Sequence, residues 1–444
     1  MMMGMIFMLL GLMLGLGYSG WWFTMYSLMM ASLLFMGVFH IGAGVSFVGY
    51  GLSMDGVSFW LVLLSFWISF LMILASYSVS KHYNYDKEFL FFVLLLLFFL
   101  LVCFVSTNLF MLYLFFESSL IPIVLLVIGW GYQPERFNAA LYLLFYTLFV
   151  SLPMLLGIFY LGSTSNTLFM PLIECSGGVY LSLCMLGAFL VSMPIFLAHF
   201  WLPSAHVEAP ISGSMVLAGV LLKLGGYGLY RVFPFIGEAF YWYGSFFLII
   251  SLYGGVLVGL LCLFQSDIKS MIAYSSVSHM GLVIGGMFTM SCSGYCGALI
   301  MMVGHGLCSS GLFCLANIIY ERTHTRSLYL NKGLITVMPT MGMFWFMFSA
   351  NNMSSPPSLN LLGEIMLINS VVSWCTPVLL FICLSSFLSC CFSIYLYSIV
   401  QHGQVSSGLY ILMGGYLREY LLLLLHWIPL NMLFLFSDKM AFWI

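Results

Sequence analysis

Apolar segments long enough to cross a lipid bilayer follow one another along almost the whole chain, separated by short polar or Gly/Pro-containing stretches. A helical bilayer span needs about 20 apolar residues, and about fourteen such segments can be counted. Of the 444 residues, 63% are hydrophobic and only 5% are charged, whereas a soluble domain has about 25% charged residues. The sequence therefore predicts an all-α polytopic membrane protein, with 1–444 as a single transmembrane domain.

The distribution of the few charges predicts the orientation of these spans. Positive residues gather on the loops of the inner face, and alternating fourteen spans places eight Lys and Arg on one side against Arg231 and Lys439 on the other. Both termini are then expected on the outer face. The apolar start at 1–18 has no basic region, so we expect a retained first span instead of a cleaved signal. The net charge of −2 favours no nucleic-acid partner.

Two of the expected spans, the seventh (180–201) and the twelfth (334–371), are predicted to be broken. The seventh runs into Pro203 and Pro210, and the twelfth contains NNMSSPP at 351–357. A proline removes a backbone donor, which is tolerated within a membrane only where protein or water satisfies the freed carbonyl. Five helices separate the breaks, which predicts inverted five-helix repeats at 88–231 and 241–400, with 401–444 as a C-terminal helix, and an ion site at the breaks.

Two ionisable residues lie in the middle of apolar runs. Lys223 is expected within a helix, facing a polar interior, because a charge near the bilayer centre costs at least about 2.5–3.5 kcal/mol. Glu117 is expected to carry and release a proton, since burial disfavours its charged form and a nearby ammonium favours it. The alternatives are snorkelling of Lys223 to an interface and a structural hydrogen bond through Glu117, Ser118 and Ser119.

Several histidines and a second carboxylate extend this set. His199 and His206 are seven residues apart, and Ser192 lies seven before His199, so an unbroken helix would align them in a row. His279 and His305 lie among hydroxyl residues on apolar helices. Each histidine alone is more often a structural hydrogen-bonding residue, but together with the carboxylates they predict a proton relay. Glu364, after the second break, is expected to be an entry or exit carboxylate.

Other polar groups are interpreted as structural. The 12 cysteines include no CxxC pair, so we expect neither a metal site nor disulfides. Facing histidine pairs for haem are not expected either. Asp267 and Lys269 are interpreted as an ordinary pair at a loop edge, and 320–326 as an inner-face loop with a solvated or interface charge patch.

Seven motifs in this order closely resemble the family of subunit 4 of mitochondrial respiratory complex I, NADH:ubiquinone oxidoreductase. They cover 115–364, while the flanking spans agree only in length and hydrophobicity. The motifs are FFESSLIP (115–122), GYQPERFNA (131–139), HFWLPSAHVEAP (199–210), LLKLGGYG (221–228), QSDIKSMIAYSSVSHM (265–280), YERTHTR (320–326) and PPSLNLLGE (356–364).

The resemblance implies an antiporter-like subunit, similar to Mrp cation/proton antiporters, with fourteen helices in two inverted repeats. It implies that Glu117 pairs with a lysine on the seventh helix and that Lys223 is the central lysine. His279 and His305 would carry the relay, and Glu364 would be its terminal acid. Flavin, iron–sulfur clusters and ubiquinone would belong to other subunits, so no cofactor is expected in this chain. The implied location is the mitochondrial inner membrane, among other membrane-arm subunits and especially neighbouring antiporter-like subunits.

The chain departs from the family at the partner of Glu117. Where the family has Val-Lys-Met-Pro, this chain has Val-Ser-Met-Pro with Ser192, and Ser204 replaces a second family lysine. One hypothesis is that both serines reflect a codon that some animal mitochondria decode as lysine. The alternative is a true substitution, with water near Ser192 and His199 sustaining the path.

Three functions are compatible with these patterns. The first is a proton-translocating subunit of complex I, which couples NADH oxidation and ubiquinone reduction in other subunits to proton pumping. The second is a stand-alone cation/proton antiporter with the same fold. The third is a structural membrane-arm subunit whose buried charges only hold helices together.

Overall fold

The structure, a computed structural model, describes residues 2–17, 20–38, 46–49, 51–173, 178–405 and 414–441. The described residues form two compact units. The first contains those of 1–193 and 208–242, and the second those of 194–207 and 243–441. The first unit includes an antiparallel strand pair, β1 (Ser46–Gly49) and β2 (Leu52–Met54).

The remaining described elements are helices. In the first half of the chain they are α1 (Met2–Leu14), α2 (Trp21–Val38), α3 (Gly56–Ala75), α4 (Tyr77–Lys81), α5 (Asp86–Val105), α6 (Leu109–Trp130), α7 (Arg136–Ser165), α8 (Val179–Ser192), α9 (Trp201–Glu208) and α10 (Ile211–Val216). In the second half they are α11 (Leu222–Leu263), α12 (Ile268–Phe288), α13 (Cys292–Thr323), α14 (Pro339–Asn352), α15 (Leu359–Trp374), α16 (Leu379–Gln401), α17 (Leu417–Met432) and α18 (Ser437–Ala441).

Within the described residues, ten helices are long and apolar enough to cross a membrane. They are α3, α5, α6, α7, Ile211–Ile236, Tyr243–Leu263, α12, α13, Thr376–Gln401 and Leu417–Ala441. Four shorter apolar helices accompany them: Met3–Gly17, Trp21–Gly37, Val179–Ser192 and Leu359–Trp374. The predicted all-α polytopic class is confirmed, while the count of fourteen spans and the inverted repeats stay predictions.

The first interruption follows Ser192, where α8 ends. The Met193 amide donates to the Phe189 carbonyl at 2.9 Å, and the chain then stays non-helical until α9 begins at Trp201. Pro194 explains this position, because a proline has no amide hydrogen and disfavours the α conformation of the residue before it.

The seventh span is therefore broken, but upstream of the predicted stretch between Pro203 and Pro210. Pro203 is the third residue of α9. Proline is tolerated in the first turn of a helix, where the amide hydrogens have no partner within the helix. A second break does lie at Pro210, as predicted, because α9 ends at Glu208 and Pro210 precedes α10, whereas the earlier break at Pro194 was not predicted.

The second interruption lies between α14 and α15, as predicted. Residues 353–358 are not helical and contain Pro356 and Pro357. Ser358 starts the next helix, since its hydroxyl oxygen accepts a hydrogen bond from the Leu361 amide at 3.4 Å. This break places Glu364 in the second turn of α15.

Helix α3 is the core of the first unit, with nearly all of its side chains buried. It packs against α2, α5 and α10. Its Ile68 contacts a π-helical turn, Leu217–Leu221, at Gly219, where a Cβ would collide with the Ile68 side chain. Because interiors are closely packed, α3 fixes the position of the turn that immediately precedes α11.

In the second unit, a buried ion pair joins the end of α13 to the start of α17. Arg322 donates to the Glu419 carboxylate at 2.6 Å, and both side chains are buried. The same carboxylate accepts the Tyr416 amide at 3.1 Å. The interpretation of 320–326 as a loop is therefore wrong for 320–323, which form the last turn of α13. Of the two alternatives for its charge patch, solvated or interface, the solvated one is wrong for Arg322, which is paired inside the protein.

Replacing Glu419 with glutamine is expected to lower the free energy of unfolding by about 3 kcal/mol, because removing one charge leaves Arg322 buried without its counter-ion. Breaking a buried ion pair by removing one partner costs about 3–5 kcal/mol. Because glutamine keeps an acceptor oxygen for Arg322, we expect an effect at the lower end of this range. An SDS titration of the purified chain measures the change. The exposed Glu135 is the matched control, and an equal shift in Glu135→Gln would contradict this role of the ion pair.

Candidate functional site

Glu117 lies in the middle of α6, half-buried, in the first unit. Ser118 and Ser119 donate their hydroxyls to the Phe115 and Phe116 carbonyls of the same helix, at 3.1 and 2.7 Å. Their protons are thus not directed at the carboxylate. Ser151 of α7 lies within hydrogen-bonding reach of it. Among the described residues, Glu117 Oε1 has no hydrogen-bond partner, so the alternative of a structural bond through Ser118 and Ser119 is not seen here.

Ser192, the last residue of α8, is 6% exposed. Its hydroxyl donates to the Phe189 carbonyl at 3.0 Å, and the Phe189 ring lies 5.7 Å from that of Phe116. On another side, Ser192 Oγ contacts the backbone of Gly225. Helix α8 therefore touches both the helix that carries Glu117 and the helix that carries Lys223.

Lys223 is the second residue of α11, and its side chain is 0% exposed. Its Nζ donates to the Ala218 carbonyl in the π-helical turn Leu217–Leu221. Single π turns are often found at functional sites. The structure confirms that Lys223 lies within a helix, and its complete burial rules out snorkelling.

His199 and His206 belong to the second unit, on either side of the start of α9. His199 lies in the non-helical stretch 193–200, stacked between Phe196 and Phe200 with ring centroids 5.5 and 4.5 Å away. Neither of its ring nitrogens has a hydrogen-bond partner among the described residues. His206 lies within α9, is 0% exposed and stacks on Phe313 at 4.7 Å.

Ser192, His199 and His206 do not form the helical row that their spacing predicted. They lie in three successive segments, namely the end of α8, the interruption and α9. The seven-residue spacing corresponds to two turns only in a continuous helix, and Pro194 prevents one here.

The clearest cluster in the second unit consists of His279, His305 and Glu364. His279 Nδ1 of α12 lies 3.4 Å from Glu364 Oε1 of α15. The rings of His279 and His305, the latter on α13, are 5.6 Å apart. Gly304 of α13 allows α15 to pack closely against α13, because a Cβ at this position would collide with the Asn360 side chain. Three groups that the sequence separates by up to 85 positions are thus brought together.

Sequence reasoning missed one buried cation and one partly buried, paired cation. Lys269, interpreted as part of an ordinary pair at a loop edge, is 2% exposed within the first turn of α12. Arg231 forms an ion pair with Asp55, and its Nε donates at 2.8 Å to the Tyr227 hydroxyl. Tyr227 in turn donates to the Phe104 carbonyl at 2.6 Å. The sequence signal for both residues was their position near the end of an apolar segment. That position is the same for a charge in solvent and for a charge that pairs inside the protein.

Comparisons with known proteins agree with this architecture. Residues 106–389 match the family described as NADH:quinone oxidoreductase/Mrp antiporter, TM, and residues 2–103 match NADH-ubiquinone oxidoreductase chain 4, amino terminus. A chain of respiratory complex I from Thermus thermophilus with bound NADH has the same fold, with a TM-score of 0.87 at 22% identity over 99% of both chains.

Curated relatives are more similar in sequence. NADH-ubiquinone oxidoreductase chain 4 of Ceratitis capitata is 57% identical over 379 residues, which cover 84% of each chain. The protein of the same name from Locusta migratoria is 52% identical over 377 residues, again 84% of each chain. The resemblance that the motifs carried is confirmed, and the chain belongs to the NADH-ubiquinone oxidoreductase chain 4 family.

Proposed function

We propose that this chain is the antiporter-like, proton-translocating membrane subunit of respiratory complex I. It couples NADH oxidation and ubiquinone reduction in other subunits to proton movement across the mitochondrial inner membrane. The observation that carries the proposal is the burial of Lys223 beside a π-helical turn in a membrane-spanning helix. A charge in that position is costly, so charged residues within a membrane are usually paired or mark an ion pathway.

In the first unit, Glu117 and Lys223 are each proposed to carry a proton within a membrane-spanning helix. Ser151 lies within hydrogen-bonding reach of the Glu117 carboxylate, while its own hydroxyl donates to the Leu148 carbonyl at 3.3 Å. Glu117 Oε1 has no hydrogen-bond partner among the described residues and is proposed to take up the proton. Because a charge is costly in a low-dielectric interior, each group is proposed to change its protonation state when a charge moves nearby.

In the second unit, the proposed relay comprises His199, His206, His305, His279 and Glu364. A neutral imidazole has one donor and one acceptor nitrogen, so a proton taken at one nitrogen can leave from the other. His279 offers Nε2, which has no hydrogen-bond partner among the described residues, and faces Glu364 with Nδ1. A proton that arrives at Nε2 can thus pass from Nδ1 to the Glu364 carboxylate.

The identity of residue 192 determines which proton path is proposed for the first unit. Lysine at this position would restore the family's partner of Glu117, on a helix that contacts both α6 and α11. With serine there, Glu117 lacks that ammonium, and water near Ser192 is proposed to sustain the path to Lys223. The mass of the chymotryptic peptide that spans residue 192 in the native protein distinguishes the two.

The environment of the chain follows from the same proposal. Other membrane-arm subunits, especially neighbouring antiporter-like ones, are its partners, and flavin, iron–sulfur clusters and ubiquinone lie in other subunits. Both termini face the intermembrane space, in keeping with the uneven distribution of Lys and Arg. The ranges 88–231 and 241–400 are proposed as the two inverted repeats.

Replacing Glu117 with glutamine tests the proposal in the assembled complex. We expect a loss of NADH-driven pumping that is smaller than about a hundredfold, the lower limit for many positioned acid–base groups, because the carboxyl is only half-buried. Proton uptake and NADH oxidation are measured together in proteoliposomes. The control is Glu135→Gln, which removes an exposed carboxylate. Unchanged pumping in Glu117→Gln would contradict the role of this carboxyl.

A further inference from the structure

Two residues on the outward side of Lys223 have no part in the proposed relay. Tyr227 and Arg231 follow Lys223 along α11 at intervals of four residues. Residues four apart lie one above the other on the same face of a helix. The uneven distribution of Lys and Arg assigns the Arg231 end of this span to the outer face. A route from Lys223 to the outer face along this side of α11 therefore passes Tyr227 and then Arg231.

The hydroxyl of Tyr227 is engaged on two sides. Tyr227 is 0% exposed, and its hydroxyl donates to the Phe104 carbonyl of α5 at 2.6 Å. The same oxygen accepts a hydrogen bond from Arg231 Nε at 2.8 Å. A hydroxyl has one hydrogen and two lone pairs. Its hydrogen is thus held by a backbone carbonyl, and a charged donor occupies the oxygen, so this hydroxyl is not available to pass a proton outward.

Neighbouring helices close the space around this part of α11. The Phe104 ring packs edge-on against the Tyr227 ring, with the centroids 5.3 Å apart. On another side, a Cβ at Gly225 or at Gly228 would collide with residues of α8. Where one added carbon does not fit, a water molecule does not fit either. A proton therefore cannot bypass Tyr227 through water between α8 and α11 at these two glycines.

Arg231 is held in place by Asp55, the residue that precedes α3. Its Nη1 forms an ion pair with Asp55 Oδ2, and the two side chains are 21% and 17% exposed. Its Cζ also lies over the Tyr227 ring, 4.9 Å from the centroid. A guanidinium stays charged in proteins, so Arg231 does not carry protons itself. Its fixed positive charge instead repels a proton that approaches Tyr227 from either side.

We propose that Tyr227, Arg231 and Asp55 form a gate, which stops protons from passing between Lys223 and the outer face while the ion pair is intact. Once Asp55 no longer holds the guanidinium, Arg231 can turn towards the solvent, to which it is already partly exposed. The Tyr227 hydroxyl is then released and the repelling charge moves away. The inference rests on the proposed function, because it requires Lys223 to carry protons.

The test measures passive proton entry into proteoliposomes that contain the whole complex, without NADH or ubiquinone. A potassium gradient with valinomycin sets the membrane potential, and a pH-sensitive dye inside the vesicles reports the protons. Asp55→Asn keeps the shape of the side chain and removes its charge. The pair is partly exposed, so its loss should have an effect between those of a surface pair and a buried pair. We expect about tenfold faster entry per assembled complex, which corresponds to about 1.4 kcal/mol.

Two further variants show whether the protons use this route. Tyr227→Phe keeps the ring and removes the hydroxyl that Arg231 binds, so proton entry is expected to rise here too. This variant tests the gate if Asp55→Asn does not assemble. In Asp55→Asn/Lys223→Met the gate is open but the proton carrier is missing. We expect proton entry in this double variant to return to the rate of the unmodified complex.

Glu419→Gln is the matched control, because it breaks the ion pair with Arg322 in the second unit. It is expected to leave passive proton entry unchanged. An equal rise in this variant would overturn the gate, since the loss of any ion pair would then make the complex leaky. Unchanged entry in both Asp55→Asn and Tyr227→Phe would also overturn it. So would a rise in Asp55→Asn that persists when Lys223 is replaced.

Failure of the proposed function looks different. Normal NADH-driven pumping by Lys223→Met alone would contradict that function, whatever the passive entry in the Asp55 variants. The gate is tested without NADH, in a measurement that does not depend on pumping.

Discussion

Replacing Lys223 with methionine is expected to reduce NADH-driven proton pumping by about a hundredfold or more, as for removal of a positioned acid–base group. Lys223 is completely buried, and its Nζ is held by the Ala218 carbonyl of the π-helical turn. Methionine has a similar length and no proton to exchange. The rate of proton uptake by proteoliposomes, per amount of assembled complex, measures the effect.

Assembly of this variant distinguishes transport from a structural role. Methionine fills the space without a charge that the interior must stabilise, so we expect the complex to assemble in normal amounts. The matched control is Lys81→Met, because Lys81 is exposed at the end of α4. Failed assembly of Lys223→Met with intact specific pumping in the remaining complex would support the structural alternative and contradict our proposal.

Replacing Glu364 with glutamine is expected to cause a similar loss of pumping, about a hundredfold. The glutamine oxygen can still accept a hydrogen bond from His279 Nδ1, which lies 3.4 Å from Oε1. Packing at α15 is therefore kept, while the group can no longer take up a proton. Proton uptake at saturating NADH and ubiquinone, together with the amount of assembled complex, gives the specific rate.

Two other variants delimit this result. Glu364→Asp keeps an ionisable group on a shorter side chain, and we expect it to recover part of the pumping. Glu419→Gln removes a carboxylate buried in an ion pair with Arg322, away from the relay groups, and should lower stability without a comparable loss of specific pumping. Equal pumping by Glu364→Gln and the unmodified complex would exclude Glu364 from the path.

The sequence by itself determined the fold class and the family. A succession of apolar segments leaves helices as the spanning elements, because lipid cannot satisfy an open backbone. The placement of Lys223 within a helix and of Glu364 after a break also followed from local patterns. Such patterns act over one or two helical turns, so neighbouring residues are enough to reveal them.

The positions of helix breaks were less predictable, because they depend on several local signals at once. The break of the seventh span was assigned to Pro203 and Pro210, but the structure breaks the helix first at Pro194 and again at Pro210, while Pro203 lies within α9. A proline is compatible with the first turn of a helix and incompatible with its interior. Which case applies depends on where the helix begins, and the sequence alone did not settle that.

Only the tertiary structure decided which charges are paired and which side chains meet. Arg322 meets Glu419 across 97 positions, and His279 meets Glu364 across 85. The serines of α16 line a crevice with Glu364 only because α12, α15 and α16 pack together. The physical reason is that local propensity selects a helix, whereas contacts between distant residues depend on how close-packed helices fit against one another.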